Sequence, residues 1–195
     1  MNKLMIAALF LICVVANVQA EINPVKFLNT PVSGSLSKFV SSLSSQGFEV
    51  INKSESVILK GEFLGRDVLV YPTVNRKNEL WKVSVIFGSD YTEEEAVNAY
   101  NKFHTMFLEN DNYKLKSGTV ISPYTYGSVP YNAHHALGNY VTNGSTFNQM
   151  LNNNEGINEK SFIKMWIAPS AFMNDMYNII VVYENLNNKT ARPDF

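Results

Sequence analysis

The chain has 195 residues, a formal net charge of −1 and an apolar fraction of 46%. That composition excludes a disordered chain, and the near-neutral balance offers no field to draw nucleic acid or an anionic membrane. Cys13 is the single cysteine, which excludes an internal disulfide.

Met1-Asn2-Lys3 is a short positive start, Leu4 to Val15 is uncharged, and Ala16 to Ala20 ends in small residues before Glu21. This is the order of a secretory signal, with cleavage expected after Ala20. The apolar run is shorter than the ~20 residues that cross a bilayer core. Cys13 follows Ile12 inside the apolar run, which argues against lipid attachment at that residue. The expected organisation is a signal at 1–20, one domain over 21–190 and a flexible tail at 191–195, with no transmembrane segment after cleavage. A mature chain without thiols points to bacterial export, to the periplasm or cell surface of a Gram-negative cell. The sequons at Asn52, Asn143 and Asn188 are without meaning there.

Residues 21–34 read as a lead-in. Ser35 caps a helix over 35–46, with Leu36, Phe39, Val40 and Leu43 on one buried face. Gly47 suits its left-handed end, and Phe48 packs back over the last turn. Strands follow at 48–51, at 57–64 with Leu59, Gly61 and Phe63 on one side, and at 68–71, where Pro72 ends the pairing. After a polar turn at 75–79 comes the clearest strand, 80–87, with Trp81, Val83, Val85 and Phe87 on one face. Such alternation with short connections indicates an antiparallel meander with one face on the core.

Thr92 and Glu95 stand at capping-box spacing. Ala96, Ala99, Tyr100, Phe103, Met106 and Phe107 then form an apolar helical stripe to about residue 109, where Asn110-Asp111-Asn112 breaks it. Beyond lie a short strand at Val120-Ile121, a short helix at 145–152 capped by Ser145, and a polar loop at 152–158. Strands at 162–168 and 176–183 close the fold, the second suited to a central position. Asn185 onward reads as a polar tail. No internal sequence repeat is evident. The expected class is α+β: a mainly antiparallel twisted sheet with two or three helices packed on one face.

Lys26 to Gly34 (KFLNTPVSG), the helix ending at Gly47-Phe48, and Leu59 to Gly65 (LKGEFLG) together resemble a family of small exported proteins of Bacteroides-type bacteria. Its pattern is an FLGIPVDG-like segment, a helix ending KGF, and an LKGxFxG hairpin. The chain departs from it at Asn29-Thr30, where the pattern has Gly-Ile. The resemblance implies compartment and fold, and brings no catalytic residues. The layout is also reminiscent of β-lactamase-inhibitor-like periplasmic modules, a likeness of fold alone.

The histidines are His104, on the second helix, and His134-His135. Adjacent histidines point in different directions and rarely hold one metal ion together, and no Asp or Glu lies between Lys114 and Asn154. The chain contains no Gly-Xaa-Ser-Xaa-Gly elbow and no phosphate-binding glycine loop, and Glu62 and Asp67 read as solvated hairpin positions. No cofactor, no metal and no catalytic residue is expected. The unusual stretch is 122–140: Tyr124, Tyr126, Tyr131 and Tyr140, with Asn132, His134 and His135, have the amphipathic character of a binding surface. The expected function is a non-enzymatic module for a protein or glycan partner. Against recognition stands the reading of the tyrosines as a lid laid across the open end of the sheet. The alternative functions are a hydrolase with a non-local site near His134 or His135, and a structural envelope component.

Overall fold

Two residues with left-handed backbone start the fold. Leu28 (φ +47°) and Asn29 (φ +62°) turn β1 (Lys26–Phe27) back on β2 (Thr30–Pro31), as the tightest hairpins require. Strands this short carry no alternation, so the sequence reads only as a lead-in. The computed structural model describes residues 24–52, 56–121, 144–150, 156–170, 173 and 176–189. The signal at 1–20 and the tail at 191–195 lie outside them.

Helix α1 (Leu36–Ser44) buries Phe39 and Leu43. Ser35 has N-cap backbone geometry, but its hydroxyl meets Ser37 Oγ at 3.2 Å instead of capping an amide. At the other end Gly47 takes φ +93°, and the Phe48 amide donates to the Leu43 carbonyl at 3.1 Å. The phenyl ring is thereby aimed into the core. Strands β3 (Glu49–Asn52), β4 (Ile58–Phe63), β5 (Arg66–Val74) and β6 (Leu80–Tyr91) then pair in order. Pro72 does not end the pairing: it stands opposite Val83, and β5 runs on to Val74. The β4 ladder has already stopped at Val70, so a missing amide costs nothing on that side. Val83, Val85 and Phe87 share the buried face as expected, but Trp81 is only half-buried. A register shift at Thr73/Val74 gives the inward position to Leu80.

The second helix, α2 (Glu93–Leu108), has the capping box that its sequence announces. Thr92 Oγ1 accepts from the Glu95 amide at 3.4 Å, and Glu95 Oε2 accepts from the Thr92 amide at 2.9 Å. Its buried stripe is Ala96, Val97, Tyr100, Phe103, His104 and Phe107. Next come β7 (Tyr113–Ser117), β8 (Ser145–Met150), β9 (Ile157–Pro169) and β10 (Tyr177–Asn185). Strand β7 lies at 113–117, while Val120 and Ile121 are not in a strand. Residues 145–150 form a strand rather than a third helix, because β7 and β9 pair with them on both sides. The polar loop ends sooner than 158, since β9 starts at Ile157 and Asn158 is buried. Asn185 is not frayed: it closes β10, is buried, and donates to the Val32 carbonyl at 3.0 Å.

Among the described residues, eight strands form one antiparallel sheet in the order β3-β4-β5-β6-β10-β9-β8-β7. The fold is thus α+β, and it repeats a layout that the sequence hides: a helix, then a four-strand meander, twice over. The halves meet where β6 lies beside β10. The inward row Val70, Val85, Val181, Met165 is aligned across four strands and fully or almost fully buried. Both helices add their stripes to the same core, with Phe87 and Phe103 at 4.5 Å between ring centres. Among the described residues no helix is long and apolar enough to cross a membrane.

Gly61 lies directly beneath the Phe48 ring, leaving no space for a Cβ. Gly61→Ala must push that core ring aside, and is expected to lower unfolding free energy by about 1–3 kcal/mol in urea denaturation.

Candidate functional site

Tyr124, Tyr126, Tyr131, Asn132, His134, His135 and Tyr140 all lie outside the described residues. What the structure describes is how the flanks of that segment are held. Strands β7 and β8 pair up to Ser117 opposite Thr146, so the chain leaves and returns at one place on the sheet. Gly118 and Gly144 pass so close to Ser145 and to the Met165 carbonyl that neither has room for a side chain.

Two consecutive residues of α2 fasten these flanks. Tyr100 is fully buried; its hydroxyl lies 2.7 Å from Ser145 Oγ, accepts from the Ser145 amide at 3.2 Å, and reaches the Thr119 carbonyl at 3.4 Å. Asn101 pairs with Ile121 through both ends of its amide: the Ile121 N–H donates to Oδ1 at 2.7 Å, and Nδ2 donates to the Ile121 carbonyl at 2.8 Å. Ile121 is thereby buried although no strand holds it. Consecutive helical residues point about 100° apart, so one grips the returning strand while the other grips the outgoing chain. In the sequence Tyr100 is one member of an apolar stripe and Ser145 looks like a helix cap; only the β7–β8 pairing brings them together.

One turn along α2 from Tyr100, His104 is buried edge-on against Phe147, with ring centres 5.3 Å apart. Neither ring nitrogen has a hydrogen-bond partner. Burial without a counter-charge holds its pKa below the usual histidine value, so the ring is neutral and packs as an apolar group. On the outer side of α2, Asn101, Lys102, Thr105, Met106, Glu109 and Asn110 line a shallow open depression. Among the described residues no three His, Cys, Asp or Glu side chains are grouped to hold a metal ion. Glu62 and Asp67 do stand opposite each other on the β4–β5 hairpin; Asp67 pairs with Lys60 at 3.1 Å in full view of solvent, a contact worth little.

No family, no curated protein and no solved structure matches this chain. The reading of function therefore stands on the residues themselves.

Tyr100→Phe keeps the ring but leaves the Ser145 hydroxyl and amide short of a buried partner; the expected loss is about 1–3 kcal/mol of stability by chemical denaturation, together with faster amide exchange at Ser145. For His104 the sign follows from the lowered pKa. The unfolded chain takes up a proton near pH 6.5 while the folded ring stays neutral, so its contribution is complete above pH 6.5 and is lost as pH falls from there toward the folded pKa. Stability measured through that window should decline in the wild type, and the decline should flatten in His104→Leu.

Proposed function

We propose that the chain is an exported binding module that captures a protein or glycan partner through the aromatic segment 122–140. Three features support this reading. The segment concentrates Tyr124, Tyr126, Tyr131 and Tyr140 beside Asn132 and two histidines, without a single carboxylate. Tyrosine brings large contact area with few torsions to freeze, and its hydroxyl tolerates partial exposure. The observation that carries most weight is the double anchor: Tyr100 and Asn101 hold the flanks at Ser145 and Ile121 on one helix. Fixed flanks lower the ordering cost that a loop contributes against binding.

Export rests on the order of charge, apolar run and small residues at 1–20. Membership of the Bacteroides-type exported family rests on the motifs from Lys26 to Gly65. Where the chain departs from the pattern, with Asn29-Thr30 in place of Gly-Ile, Asn29 takes φ +62°, a conformation that glycine and asparagine share more readily than other residues.

The test is replacement of Tyr124, Tyr126 and Tyr131 together by Ala, followed on a glycan array and in pull-downs from an envelope extract of the native host. Capture by the wild type and its loss in the variant, with a melting temperature shifted by no more than about 2 °C, is the expected result. A collapse of folding would instead make these rings part of the sheet's own cover.

A further inference from the structure

At the end of the inner sheet face, away from the anchored flanks, the packing changes character. Leu115, Phe147, Ile163 and Tyr183 stand opposite one another across β7, β8, β9 and β10 as an apolar row. The next inward row is polar on every strand: Tyr113 faces Gln149, Gln149 faces Asn158, and Ser161 faces Asn185. A bulge in β9 makes this possible. Asn148 opposes Phe162 while Gln149 opposes Asn158, so Glu159, Lys160 and Ser161 are extra residues on the β9 side. Glu159 and Lys160 project to solvent, whereas Ser161 turns in and is fully buried.

These side chains are held in place yet unsatisfied. Asn158 Oδ1 accepts from the Lys160 amide at 3.0 Å, and the Asn158 carbonyl accepts from Asn148 Nδ2 at 3.3 Å. Asn185 is committed to the Val32 carbonyl and the Asn187 amide. That leaves Gln149 Oε1, Asn158 Nδ2 and Ser161 Oγ, all shielded from solvent and all without a partner. Asn158 and Ser161 are 5% and 0% exposed. Folded proteins rarely leave such atoms unpaired, and a group of them in one place calls for an explanation. Two phenols bound the row. Burial first, and the neighbouring Tyr113 phenol second, hold the Tyr183 phenol in its neutral form, and burial pushes the Tyr113 phenol up to about 12. Tyr113 and Gln149, toward the edge strand, are partly exposed and offer the way in.

We propose that this row is a binding site for the hydroxyl groups of a neutral saccharide unit. An acceptor, a donor and a group that is both belong to one stretch of β8 and β9, with Gln149 paired to Asn158 and Ser161 on the same bulge, and a sugar hydroxyl is the group that donates and accepts at once. A carboxylate or phosphate oxygen has no proton for Gln149 Oε1, and an ammonium has no lone pair for Asn158 Nδ2. No charged side chain belongs to the row, and the charged neighbours on the bulge face outward. Without sugar, ordered water satisfies the same atoms. The site uses none of the residues in 122–140, so it holds or fails separately from the aromatic segment.

The experiment is a titration of the protein, followed by the side-chain amide resonances of Gln149 and Asn158, with glucose, galactose, mannose and N-acetylglucosamine, and with glucuronate as the anionic control. A saturable shift of both amides with at least one neutral sugar and none with glucuronate is the expected result. Ser161→Ala should weaken that sugar at least tenfold, and Lys160→Ala, on the outward side of the same bulge, should leave it unchanged. No saturable shift with any neutral sugar overturns the proposal, as does an equal response to glucuronate. The wild-type titration decides even where Ser161→Ala folds poorly.

Discussion

The pairs that run from Tyr91 with Tyr177 to Lys82 with Glu184 join β6 to β10, and the other described strands of the main sheet are arranged around that seam. On one side lie α1 and the meander β3 to β6; on the other lie α2 and the meander β7 to β10. Each meander alone presents one apolar face and a helix too small to cover it. Joined, they align Val85 with Val181 and Phe87 with Ile179, and α2 lies over strands of both halves. The period-two side-chain rule makes the register at the seam decisive: a slip of β10 by one residue would turn Ile180 inward and Val181 out while Val85 of β6 still faced the core.

How far the sequence discloses this depends on how local the determinants are. The capping box at Thr92 and Glu95, the stripe from Ala96 to Phe107, the alternation at Val83, Val85 and Phe87, and Gly47 at the end of α1 are all decided within a few residues, and all are readable. The β1–β2 hairpin is missed because Lys26–Phe27 and Thr30–Pro31 are too short for any period to show. Residues 145–150 deceive for a different reason. Phe147, Met150 and Leu151 behind a Ser145 cap fit a short helix, yet Ser145 and Phe147 also fit alternation, and β7 and β9 on either side settle the choice. The repeated helix-plus-meander layout is invisible because the second copy is opened between β7 and β8 by the long segment after Ile121.

The candidate site was legible only in part. Composition alone marks residues 122–140 as unusual, but nothing local says that Tyr100 and Asn101 hold their flanks, since those contacts link residues 20 or 45 positions apart. The polar row of Tyr113, Gln149, Asn158, Ser161 and Asn185 was wholly unreadable. Its members come from four strands, and Asn158 and Ser161 share it through a bulge that no alternation pattern predicts.

The seam carries a cost in time. Ile86 and Ile180 are neighbours in the sheet although roughly ninety residues of chain lie between them, and pairings so remote in sequence form slowly. The first meander is complete by Tyr91, so as the chain emerges from a ribosome or crosses a membrane it stands for a time with β6 as a bare edge, the kind of surface that invites pairing with the wrong neighbour. Whatever route the chain takes through the cell, its most vulnerable moment is the interval between finishing its first half and receiving its last strand.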